Sequence, residues 1–213
     1  MRIIQGGKST YRAAVVNLIE ELLERKLLAS GPVPMTDGLV LHGAEVGVFR
    51  GELSEVILNT FPETFLYLVD SWAVHGPETP YRKSGDRVAK LNADEMEQCY
   101  QEAMRRTSKH CLRRQVVRAD SVDAVPLLNG AMLDYVFIDA DHTYEGVQRD
   151  LAAWWPMVRG GGLFMGHDYG HRRYTGVQRA VDEFAALQEA VVKTSRGHVW
   201  SMWKPSKGPV ILP

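Results

Sequence analysis

The sequence predicts an α/β fold: a single doubly wound, mostly parallel sheet of seven strands that ends in an antiparallel hairpin, with an N-terminal helix added in front. Three observations carry that prediction. Short apolar runs rich in β-branched and aromatic residues alternate with stretches of helical periodicity along the chain. Two of those runs end abruptly in polar tips, Asp139, Asp141 and His142 in one case and His167 and Asp168 in the other. The last two runs are separated only by Arg196 and Gly197, as in a hairpin.

Length and composition bound the answer. At 213 residues, 45% of them hydrophobic, the chain fits one domain with a sizeable core. A net charge of −1 and the lack of any Lys/Arg block argue against a nucleic-acid partner. Cys99 and Cys111 have neither metal nor redox spacing, which points to a reducing compartment. The apolar runs are too short for a membrane span and no signal-peptide h-region stands at the start. A soluble cytoplasmic protein without membrane contact is the expectation.

Taken in order, a helix is predicted from an N-cap at Ser9 or Thr10 to about Leu28, with Val15, Leu18, Ile19 and Leu22 on its apolar face. It offers a surface for packing or for a homo-oligomer contact. Turns at residues 31–34 and 37–38 divide the chain into a helical extension, 1–38, and the main domain, 39–213. The first strand, 39–48, feeds Glu45-Val-Gly47-Val-Phe-Arg-Gly51 and then a helix. Glycines at such a turn let the backbone approach a ligand, and the helix start offers free N–H groups. The second strand, 65–69, ends in Asp70 and Ser71; an acid there can accept from ribose hydroxyls or merely cap a turn.

Residues 71–85 hold Gly, Pro, His and aromatics and read as a lid or substrate loop, with Trp72, His75 and Tyr81 as contact candidates. A helix over 93–107 leads to a third strand, 115–119, tipped by Asp120 and Ser121. Asp120 there is either an acceptor for an exocyclic amine or a helix N-cap. The fourth strand, 135–138, carries the first polar tip, and the next helix is expected to stop at the glycines 160–162. The fifth strand, 163–166, carries His167 and Asp168; a helix through Val177, Ala180, Val181, Phe184 and Leu187 precedes the hairpin of 190–195 and 198–203. Acids and histidines at two strand tips are hard to explain as packing, although solvated loop acids with a helix cap are the plain alternative.

Five strand–helix units and a terminal hairpin, with Glu45, Gly47, Gly51 and Asp70 in these places, resemble the class I S-adenosylmethionine-dependent methyltransferases on their Rossmann-like sheet. Phe137-Ile-Asp-Ala-Asp-His-Thr-Tyr-Glu-Gly146 and Gly161-Gly-Leu-Phe-Met-Gly-His-Asp-Tyr169 are more specific. They resemble the metal-dependent sugar O-methyltransferases of the macrocin and novobiocin type and the cephalosporin-hydroxylase-like family, with catechol O-methyltransferase more distant. The resemblance implies a donor site at Glu45, Gly47, Gly51, Asp70, Ser71, Asp120, Ser121 and Asp139. It also implies a divalent metal at Asp139, His167 and Asp168, and methyl transfer to a sugar or phenol hydroxyl in natural-product biosynthesis. Mg²⁺ is the family's ion, but His167 departs from its oxygen ligands, so Mn²⁺ or another ion, or a position for His167 just outside the ligand set, stays open. Asp141 holds the place of the family's general base, with His142 as its competitor.

Three rivals remain. A dinucleotide-dependent oxidoreductase is disfavoured by Phe49, where the G-x-G-x-x-G fingerprint has glycine, and by the terminal hairpin. A metal-dependent hydrolase leaves the glycine turn and Asp70 unexplained. A non-catalytic nucleoside-binding relative is disfavoured by intact Glu45, Gly47, Gly51, Asp70 and Asp139, while His167 leaves it open.

Overall fold

The computed structural model describes residues 11–30 and 41–206. The predicted N-cap at Ser9 or Thr10, the turns at 31–34 and 37–38, and the start of the first strand lie outside the described residues. Among the described residues seven strands form one sheet: β1 (Leu41–Val46), β2 (Thr64–Asp70), β3 (Arg114–Arg118), β4 (Leu133–Ile138), β5 (Val158–Gly166), β6 (Lys193–Ser195) and β7 (Val199–Trp203). Their order is β3-β2-β1-β4-β5-β7-β6. The first five run parallel and β7 pairs antiparallel with both β5 and β6. The strand order reverses between β1 and β4, which opens a crevice at the carboxyl edge of the sheet.

The longer helices cover both faces: α1 (Tyr11–Ser30), α2 (Glu52–Thr60), α4 (Ala93–Thr107), α6 (Tyr144–Trp154) and α7 (Thr175–Leu187), with the single-turn α3 (Pro80–Lys83) and α5 (Ser121–Ala124) in connections. Alternation along the strands sorts the core into two layers. Tyr135 and Phe137 of β4 face α1, α2 and α4 together with Val15, Ile19, Ile57 and Ala103. Val136 and Ile138 face α6 and α7 together with Leu151, Trp154 and Val181. β4 is buried along its whole length, as a central parallel strand should be.

Caps and turns fix where elements begin. Asn92 and Glu95 form a reciprocal capping box on α4, and the Thr143 side chain caps α6. The predicted glycine stop after α6 is a different feature. The helix ends at Trp154, a 3₁₀ turn holds Trp155-Pro156-Met157, and residues 158–162 already belong to β5. Pro156 has no N–H to continue the helix. The glycines relieve crowding inside a bulged strand, where Gly161 takes φ +78° and the register against β4 shifts between Leu133 and Tyr135. Leu187, one of the apolar residues of the predicted helix, closes α7 and is exposed. No described helix is long and apolar enough to cross a membrane.

Candidate active site

The carboxyl edge holds a cavity of about 560 Å³ over the crevice between β1 and β4, within the range of small-molecule sites. Glu45, Gly47, Asp70, Ser71, Asp120, Ser121, Asp139, Asp141 and His142 all line it. Gly51 lies beneath the loop, where a Cβ would come within 2.9 Å of the Ala103 Cα. Gly47 has φ +92°, and a Cβ there would overlap the Asp139 carbonyl, so only glycine lets β1 and β4 end this close together.

Phe49, which stands where the dinucleotide fingerprint has glycine, adopts φ +51°. The cost of that backbone is met by a strap. Its amide donates to Asp70 Oδ2 at 2.8 Å, and its carbonyl accepts from Trp72 Nε1 at 2.7 Å. Asp70 Oδ1 accepts from the Trp72 amide at 2.8 Å. Asp70 thus braces the glycine turn and still has lone pairs for hydroxyl donors. Burial raises its pKa against those backbone hydrogen bonds. Trp72 is buried at 2% exposure, packs edge-on to Tyr100 and is not part of the cavity wall, whereas His75 and Tyr81 are. Glu45 is buried and accepts from the Ser54 hydroxyl at the start of α2; burial pushes its carboxyl up to about 8. Asp120 N-caps α5, its Oδ1 accepting from the Val122 amide at 3.2 Å, and also lines the cavity.

Beside the cavity the two polar strand tips meet. His142 Nε2 lies 3.1 Å from Asp139 Oδ1 and 3.1 Å from Asp168 Oδ2. Its Nδ1 lies 2.6 Å from Asp86 Oδ2, and the Tyr174 ring stacks on the imidazole at 4.5 Å. Asp168 has φ +61°, an uncommon backbone for a non-glycine residue. Burial opposes charge on His142, yet the three carboxylates raise its pKa well above the ordinary value. Burial likewise opposes charge on Asp168, but the two histidines hold its carboxyl well below the usual range. His167 Nδ1 is 3.3 Å from Asp168 Oδ2 and 3.7 Å from Asp139 Oδ1, with its ring against Tyr11.

Asp141 faces elsewhere. Its Oδ1 accepts from the Thr143 amide at 2.8 Å, and its Oδ2 is 3.7 Å from Arg149 Nη2. A Cβ on Gly146 would collide with its carboxylate. Sequence reading missed Asp86, whose loop gave no signal beyond polarity, and Tyr11, which α1 delivers to the cavity wall. It also missed Asp150, buried on α6 and part of the same wall.

A family model described as a methyltransferase domain matches residues 44–169, which is more than half of the chain. The chain belongs to this methyltransferase family. The protein is a class I, S-adenosylmethionine-dependent methyltransferase, and the match spans β1 to the residue after Asp168. Solved structures agree in fold. The O-methyltransferase NovP superposes with a TM-score of 0.63 at 17% identity, covering 92% of this chain and 81% of NovP. CalS11, a calicheamicin methyltransferase, gives 0.61 at 14% identity, covering 90% of this chain and 79% of CalS11. A caffeoyl-CoA O-methyltransferase candidate from Staphylococcus aureus gives 0.55 at 13% identity, covering 91% of this chain and 98% of that one. No curated protein matches. At these identities the structural likeness is one of fold.

Proposed function

We propose that this methyltransferase moves the methyl group of S-adenosylmethionine onto a hydroxyl oxygen of a small molecule, of the sugar or phenol class, with a divalent cation at the joined strand tips. The observation that carries this reading is His142, gripped by Asp86 at Nδ1 and set between Asp139 and Asp168 at Nε2, on the wall of the donor-sized cavity. CalS11 is also described as a TDP-rhamnose 3′-O-methyltransferase, which supports a sugar hydroxyl as acceptor.

The donor set fits a divalent cation. Asp139, His142 and Asp168 each offer a ligand atom, and these atoms lie within 4.8 Å of one another. Carboxylates suit Mg²⁺, and an imidazole among them widens the choice to Mn²⁺, Fe²⁺ or Zn²⁺. Asp139 and Asp168 would hold the ion, with His167 beside them. When bound, such an ion supplies the positive charge that the two carboxylates otherwise draw from His142, and it polarises the acceptor hydroxyl.

The chain's own residues do the rest. Glu45, the Gly47 turn and Asp70 hold the donor, and alignment of sulfonium and oxygen is the largest task in such a transfer. Asp86 fixes the Nδ1–H tautomer of His142, so that Nε2 is the atom that takes the hydroxyl proton. Tyr174 keeps the ring in plane. Asp141 is engaged by Thr143 and Arg149, which favours His142 over Asp141 as the proton acceptor.

The test is transfer of a labelled methyl group from S-adenosylmethionine to nucleotide-sugar and catechol acceptors, with Mg²⁺ or Mn²⁺ and with chelator. Chelator-sensitive transfer to oxygen is expected. Asp139→Ala should abolish the cation stimulation while largely sparing donor binding, and His142→Ala should lower kcat by roughly 10²–10⁴-fold. Wild-type turnover in Asp139→Ala, or transfer to nitrogen acceptors alone, would contradict the reading.

A further inference from the structure

Asp150 is a buried acid with no part in the chemistry described so far. It sits on α6, 4% exposed, and lines the cavity beside Asp120 and Ser121. One of its oxygens is positioned. The Trp154 indole donates to Ser121 Oγ at 2.9 Å, and the Ser121 side chain in turn hydrogen-bonds Asp150. The other oxygen, Oδ2, is buried without any hydrogen-bond partner. A buried, unpaired carboxyl oxygen is costly, and native structures retain few of them. At the wall of a ligand cavity, the economical explanation is that the partner is the ligand.

The neighbourhood narrows what that ligand group is. Placing the ribose at Asp70 on the tip of β2 carries the base toward the tip of β3, where Asp120 and Ser121 stand beside Asp150. This part of the wall thus presents acceptors, which suit an exocyclic amine better than a carbonyl oxygen. We propose that Asp150 is a base-reading residue whose Oδ2 accepts a hydrogen bond from the 6-amino group of the donor's adenine. The proposal rests on the placement of S-adenosylmethionine in this cavity. Burial, with Asp141 and Asp120 nearby and only the Ser121 hydrogen bond and Arg149 opposing, pushes the Asp150 carboxyl up to about 7. Near neutrality the neutral acid therefore stays substantially populated, and in that form the group is able both to accept from the amine and to donate to an adjacent ring nitrogen. An asparagine side chain has the same pair of capabilities.

The experiment compares calorimetric affinities for S-adenosylhomocysteine and for its purine-riboside analogue, in which hydrogen replaces the 6-amino group. Wild type is expected to prefer the amino compound by at least about tenfold, the discrimination that one buried hydrogen bond confers. Asp150→Ala should bring the two affinities to within about threefold with its melting temperature retained, and Asp150→Asn should keep the preference. A wild-type protein that binds both compounds equally overturns the proposal without need of any variant. An undiminished preference in folded Asp150→Ala overturns it as well, while leaving the donor site in place. A wild-type protein that binds neither compound overturns the donor site itself, and the proposal with it.

Discussion

His142 and Asp150 are both histidine or carboxyl groups on the β4–α6 segment, yet their surroundings push them toward opposite uses. His142 meets three carboxylates, which favour its charged form; Asp150 meets one hydroxyl and burial, and burial favours its neutral form. The partner that fixes His142, Asp86, is 56 positions away in sequence and lies in a loop with no periodicity to read. That is why the sequence places His142 near the reaction but leaves its competition with Asp141 open. Asp150 makes a prediction of its own. Its folded-state pKa of about 7 is above the ordinary carboxyl value, so between those two pH values the folded chain keeps a proton that the unfolded chain has released. Stability contributed by this group is present at low pH and is lost as pH rises toward 7. Asp150→Asn lacks that loss, so urea unfolding from pH 4 to 8 should find the variant gaining on wild type by up to about 4 kcal/mol across the window. A stability difference that stays constant with pH would contradict the buried, neutral acid.

At the scale of elements, the glycine turn and the strand tips were legible because they are local. Acid-x-Gly between an apolar run and a helix pattern is enough to place a close backbone approach, and the structure puts the Asp139 carbonyl where a Cβ on Gly47 would be. Gly47→Ala should therefore combine left-handed backbone strain with displacement of the β4 tip. The expected outcome is a loss of about 2 kcal/mol or more in denaturant unfolding together with weakened S-adenosylhomocysteine binding. Unchanged binding would place the donor away from this turn. The glycines at 160–162 mislead for the converse reason. A glycine run after a helix pattern has the same sequence signature as a C-cap, whereas its use as a bulge depends on pairing with β4 and on the Gly161 amide donating to the Lys204 carbonyl at 2.8 Å. Trp72 likewise read as a loop aromatic open to ligand, because its burial against Tyr100 and its bond to the Phe49 carbonyl are tertiary.

At the scale of the molecule, α1 is part of the core that supports the site. Val15 and Ile19 are fully buried against the sheet face that carries Tyr135 and Phe137, and Tyr11 at the helix start reaches both the cavity and His167. The far end of the sheet contributes too: β7 pairs with β5 at Gly166, next to His167 and Asp168, which ties the hairpin to the second polar tip. The fold thus brings separate segments of the chain, among them residues 11, 45–51, 70–86, 120–121, 139–150 and 167–174, around one cavity and one acidic cluster. The most direct measurement of that arrangement is anomalous diffraction from crystals soaked with S-adenosylhomocysteine and Mn²⁺. Nucleoside density with its ribose on Asp70 and one strong Mn²⁺ peak bound by Asp139 and Asp168 beside His142 are expected. Nucleoside density elsewhere, or a Mn²⁺ peak away from those two carboxylates, would contradict it.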